Sequence, residues 1–142
     1  MDLPQAIWLA DLMLAHVDLL AAELTTAARG KMAVYRSMEP AVVQAIFVVF
    51  YRVLAHALAA GDVTPLQTYL GRVVGDRLRD GATLAGFMYL VTSAQTSVRT
   101  LINREYAADP VLLATLLPQL PTLFEDLRQV IRDIGAQQGQ VD

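Results

Sequence analysis

An all-α bundle of about five to seven helices is the fold class this sequence predicts, on three observations. Apolar side chains recur at three- and four-residue spacing along nearly the whole chain, as in helices that each bury one stripe. The runs are separated by short connections carrying Gly61-Asp62, Asp80-Gly81 or Asp109-Pro110, lengths and residue types usual between helices of a bundle. No strand-period alternation and no internal repeat interrupts the pattern. With 142 residues, 55% of them hydrophobic, the chain can bury a core without staples. Residues 1–136 are expected to form one helical domain and residues 137–142 a polar tail.

Pro4 prepares the first helix, and Ile7 to about Ala28 reads as one long helix. Trp8, Leu9, Leu12, Met13, Leu20 and Leu24 are expected inward, while Asp11, Asp18 and Thr25, seven apart, form the solvated edge. Arg29-Gly30-Lys31 ends it, with basic groups near the negative helix terminus and Gly30 available as a left-handed cap. Met32 to Met38 fits either a short helix or a tucked connector around Val34 and Tyr35, and Ser37 or Glu39 caps the next helix ahead of Pro40. That helix, Val42 to Ala60, is apolar nearly all round, the mark of a central helix covered on several sides. Ala41 to Ala60 is also about the length that spans a bilayer. Gln44, Arg52 and His56 lie along one narrow strip of it, and Arg52 at mid-depth is costly in lipid. We therefore expect a nearly buried helix with one wet strip, and no membrane insertion.

Thr64, followed by Pro65 and Gln67, is expected to cap the next helix through its hydroxyl. Leu66, Tyr69, Leu70, Val73, Val74 and Leu78 make its buried stripe, and Asp80-Gly81 turns the chain with a positive φ at glycine. Gly71 and Gly75 sit four apart inside this helix, where each costs on the order of 1 kcal/mol relative to alanine. Either a close backbone approach or simple surface tolerance accounts for them. After the turn, Leu84, Phe87, Met88, Val91, Ala94, Val98, Leu101 and Ile102 line about five turns of one apolar face. Thr92, Ser93, Thr96, Ser97 and Thr100, opposite that stripe, read either as its solvated side or as a row of small side chains that lets another helix approach closely.

Asp109 caps and Pro110 starts a short leucine-rich helix, Val111 to Leu117, which Pro118 and Pro121 terminate or kink. Thr122 with Glu125 has the capping-box spacing and opens the last helix, Leu123 to about Ile134. Leu123, Leu127, Val130 and Ile134 follow the four-three-four spacing of a helix-packing seam, and we expect them to form a dimer or partner contact.

Composition removes several function classes. No cysteine is present, so disulfides, thiolate catalysis and cysteine-based metal sites are excluded. A net charge of -3 with a single lysine, Lys31, argues against nucleic-acid binding, which needs clustered basic residues. The opening M-D-L-P-Q carries an acid where a secretory signal would carry positive charge, so a cytoplasmic protein is expected. His16 and His56 are the only histidines, and neither has a carboxylate or histidine three or four residues away to complete a metal site. His16, on the row of Leu9, Leu12, Met13 and Leu20, is a haem-ligand candidate by residue type, with a hydrogen-bonded buried histidine as the bland alternative. Asp76 and Asp80 share a face but are interleaved with Arg77 and Arg79, as solvated charge at a helix end would be. No nucleophile-elbow, metalloprotease or glycine-rich phosphate motif occurs, and no catalytic residue, metal or cofactor is expected.

The run R-L-R-D-G-A-T-L, Arg77 to Leu84, continues into F-M-Y-L-V, an arginine and a glycine opening a long amphipathic helix. With the aromatic-rich helix before it and the terminal helix after it, this stretch resembles the non-haem, globin-like N-terminal sensor domains of stressosome co-antagonist proteins of the RsbR type and their RsbRD-like relatives. Thr83 departs from the pattern, standing where many relatives carry proline. The resemblance implies a globin-like fold without haem, a homodimer, and a sensory role in a stress response through contacts with a partner protein or output domain. A haem-binding globin and a purely structural dimerisation module are the competing expectations.

Overall fold

The computed structural model describes residues 3–139, and among them every regular element is helical. Eight α-helices follow one another: α1 (Leu3–Ala15), α2 (Val17–Lys31), α3 (Ala33–Arg36), α4 (Pro40–Ala60), α5 (Thr64–Arg79), α6 (Leu84–Glu105), α7 (Pro110–Leu116) and α8 (Leu120–Gln137). A 3-10 turn, Leu117–Gln119, joins the last two. Helix α3 is a single turn, so the seven longer helices form the all-α bundle expected.

The expected single first helix is two. The chain leaves helical geometry at His16 (φ −122°, ψ 26°); the His16 N–H turns back to the Met13 carbonyl at 3.3 Å, and the His16 carbonyl accepts the Leu20 N–H at 3.0 Å to start α2. No glycine or proline marks this break, which is why periodicity ran through it. The buried face of α1 is Ala6, Leu9, Ala10, Leu12 and Met13. Trp8, expected inward, is 52% exposed, because it lies about 100° around the helix from Leu9. Thr25, expected on the solvated edge, is buried: its hydroxyl donates to the Ala21 carbonyl at 2.7 Å and bonds Gln44 Oε1 at 3.2 Å. Gln44 in turn donates to the Asp18 carbonyl, so it joins α2 to α4 and leaves the wet strip on which it was expected.

Helix ends show the same mixture. Asp109 caps α7 as expected, its carboxylate accepting the Leu112 N–H at 3.0 Å. Thr64 does not cap α5; Asp62 Oδ1 accepts the Thr64 N–H at 3.0 Å instead. Neither Ser37 nor Glu39 caps α4 with its side chain: the Ser37 hydroxyl bonds the Val34 carbonyl, and Glu39 stands at the cap position with no such bond. The Thr122–Glu125 capping box is absent because α8 already begins at Leu120, which leaves Glu125 to pair with Arg132 at 2.9 Å and Arg128 at 3.5 Å. Thr83, unremarked as a cap in the sequence, accepts the Gly86 N–H at 3.0 Å and opens α6. The chain turn before it uses Gly81 at φ 101°, a conformation that side-chain-bearing residues avoid. Of the two α5 glycines, Gly75 is covered by the Gln138 side chain and Gly71 faces open space.

Helix α4 packs against α1, α2 and α5, while α6 packs on α2 and α8, and α5 on α8; α4 is not the nearly buried helix expected, since Val42, Ala45 and Val49 stand exposed along one side together with Arg52 and His56. Val43, Phe47, Phe50, Tyr51 and Leu54 of α4 meet Leu20 and Leu24 of α2, Val91, Ala94 and Val98 of α6, and Phe124, Leu127 and Ile131 of α8 in one continuous core. Helix α4 is the one described helix long and apolar enough to cross a membrane. The residues expected as a polar tail are helical through Gln137, and 140–142 lie outside the described residues.

Candidate functional site

Two features stand out from an otherwise well-covered bundle: an apolar outer face and an apolar interior cavity. Helices α1 and α4 are apolar nearly all round and pack against each other, yet each leaves apolar side chains exposed. Helix α1 presents Ile7, Trp8 and Leu14 to solvent, and α4 presents Val42, Ala45 and Val49. The exposed positions of α4 continue along the same stripe to Arg52 and His56, and Asp11 lies within the stripe of α1. Sequence reasoning found the apolar character of both helices but assigned Trp8 to the core, since a face with so few charges reads as buried.

The cavity, about 50 Å³, lies where α2, α3, α4, α5, α6 and α8 converge. Its lining includes Tyr35, Phe47, Tyr69, Val91, Ala94 and Ile131. Phe47 stacks obliquely on Tyr35 with ring centroids 5.5 Å apart. The Tyr69 hydroxyl donates to the Ile46 carbonyl at 2.7 Å, whereas the Tyr35 hydroxyl is buried with no hydrogen-bond partner among the described residues. Burial pushes the Tyr35 phenol up to about 12, with the Arg77 guanidinium pulling partly against it. Burial likewise raises Tyr51, helped by the charge of Glu23, and Tyr69. In each case burial favours the neutral phenol.

The expected contact residues of α8 separate. Leu127 and Ile134 are buried in the domain's own core, and Leu123 and Val130 are half-buried along a groove of about 240 Å³ shared with Leu54, Leu58 and Leu66. His16 is not on an apolar row; it is half-buried at the α1–α2 break, with Nε2 3.7 Å from Glu105 Oε1. His56 is exposed. Neither lines the cavity, whose volume is several-fold below the pockets of about 300 Å³ or more that hold larger ligands; these residues do not fit a haem. Among the described residues, no group of three or more histidines and carboxylates is placed to hold a metal. Asp76 pairs with Arg79 and Asp80 with Arg77 at 3.1 Å, as solvated charge at the end of α5. The hydroxyl row of α6 is mostly solvated, with Thr92 and Gln95 accepting from Arg128 of α8.

No protein-family model matches the chain, and no curated protein or solved structure shows significant similarity to it.

Proposed function

We propose that the chain is a non-catalytic sensory or signal-transduction module that acts as a homodimer in the cytoplasm, in the manner of the globin-like stressosome domains its central stretch resembles. The observation that carries this reading is the exposure of large apolar side chains, Trp8 and Leu14 on α1 and Val42 and Val49 on α4, on two helices that pack against each other. A second copy suits this face better than a chemically different partner. Asp11 on α1 and Arg52 on α4 have opposite charge, and neither is in an ion pair among the described residues. A two-fold contact laying α1 of one protomer against α4 of its partner sets these charges against each other twice, which is self-complementarity of the kind a symmetric dimer requires. About 800 Å² from each protomer is the area such a contact needs.

Sedimentation equilibrium at micromolar concentration tests the reading. A mass near twice the 15.5 kDa of one chain is expected, and a single-chain mass would sink it. Asp11→Arg should weaken the dimer and Asp11→Arg with Arg52→Asp should restore it. The interior cavity favours a sensor over a purely structural dimerisation module. Hemin added to the purified protein should give no stoichiometric Soret band.

A further inference from the structure

We propose that the interior cavity is a binding site for a small apolar molecule of a few heavy atoms, a dissolved gas or a very short hydrocarbon, and that Tyr69 is a latch across its mouth. The proposal deepens the sensory reading by naming the class of signal; the binding itself does not depend on the dimer.

Size and polarity select the ligand. At about 50 Å³ the space exceeds the roughly 10–15 Å³ that admits one water. It is also well below the cavity of about 150 Å³ that is known to take benzene or xenon. Water is disfavoured on chemical grounds, because a buried water needs two to four polar partners. The side-chain polar atoms on the lining residues are two tyrosine hydroxyls, and the Tyr69 hydroxyl is already bonded to Ile46. What remains is a hydrocarbon wall and at most one uncommitted hydroxyl, that of Tyr35. An apolar occupant regains the dispersion contacts that an underfilled wall lacks.

The way in is also legible. Of the residues lining the cavity, all are buried except Ile46, Tyr69 and Val73, which are half-buried. They lie on α4 and α5 and mark the side nearest solvent. The hydrogen bond from Tyr69 of α5 to the Ile46 carbonyl of α4, 2.7 Å long, spans that side. Opening it separates the two helices where the wall is thinnest, and closing it shields the interior again. The Ile46 carbonyl can accept because the bond adds to a helical carbonyl with a second lone pair.

Xenon is the probe, used on the full chain. A 129Xe NMR titration should show a saturable shift with one site per chain, and crystals pressurised with xenon should carry density bounded by Phe47, Val91 and Ala94. Ala94→Leu places extra carbons into the space and should abolish the saturable shift while the protein keeps its helical circular dichroism and cooperative melting. Val91→Ile, a smaller addition, should weaken binding if the leucine variant fails to fold. Tyr69→Phe removes the latch and no carbon of the wall, so xenon should still saturate one site but exchange faster. A linear, non-saturating shift in the wild type, or the same saturation in the filled variants, overturns the site. An unchanged exchange rate in Tyr69→Phe overturns the latch. Xenon binding is read whatever the oligomeric state, so its failure leaves the dimer standing, and a monomer by sedimentation leaves the cavity standing.

Discussion

The inner side of α4 carries Val43, Phe47, Phe50 and Leu54, all buried, whereas its outer side carries Val42, Ala45 and Val49, all exposed. Helix α1 repeats the contrast, with Leu9 and Met13 inside and Ile7, Trp8 and Leu14 outside. Composition hardly distinguishes the two sides, yet the residues of one are buried in the core and those of the other stand exposed. A helix that is apolar all round states how much cover it needs. It does not state whether that cover is intramolecular.

Charges placed on the two kinds of apolar surface should separate them most sharply. Leu127→Glu, in the core of α8 at 3% exposure, should unfold the domain, because an unpaired buried carboxylate consumes most of a stability of about 5–15 kcal/mol. Val49→Glu should leave folding within about 0.5 kcal/mol of wild type for the monomer while breaking the dimer. Thermal melting with sedimentation reads both, and equal unfolding by the two would erase the contrast. Next in size, Phe50→Ala should cost about 3–5 kcal/mol in denaturant titration; a loss under about 1 kcal/mol would mean that the inner face of α4 is no better packed than the outer.

The tyrosines give a pH version of the comparison. Tyr35 titrates near 10.0 when unfolded and about 12 when folded, so the unfolded chain gives up its proton first. The stability linked to this group is complete below pH 10 and is lost as the pH climbs towards 12. Phenolate absorbance should therefore show Tyr35, Tyr51 and Tyr69 ionising late, alongside alkaline unfolding. Early, reversible ionisation of all five tyrosines would place water in the interior. The smallest effect is at a helix end: Asp109→Ala removes the α7 cap and should cost about 1 kcal/mol, with no change in association.

Much of the fold was legible because long periodic runs and glycine turns have direct physical causes: the extents of α4, α5 and α6, the Gly81 turn and the Asp109 cap all follow from them. The break at His16 was not, since no glycine, proline or other local signal marks it. Capping hydroxyls misled for a related reason. Asp62 takes the Thr64 N–H ahead of α5, and Thr122 lies inside α8, which begins at Leu120, so which side chain caps depends on where the neighbouring turn places the chain. The cavity lies beyond sequence reading altogether, because a gap of 50 Å³ depends on how side chains from six helices meet.

Trp8 is the only tryptophan in the chain and stands on the outer face, so its fluorescence reports directly on what covers that face. Emission should lie at long, water-exposed wavelengths at nanomolar concentration and shift to shorter wavelength as the concentration rises, with the same midpoint as the mass increase in sedimentation. An emission maximum that stays put while the mass doubles would contradict the account, by showing that the copies meet through some surface other than α1 and α4.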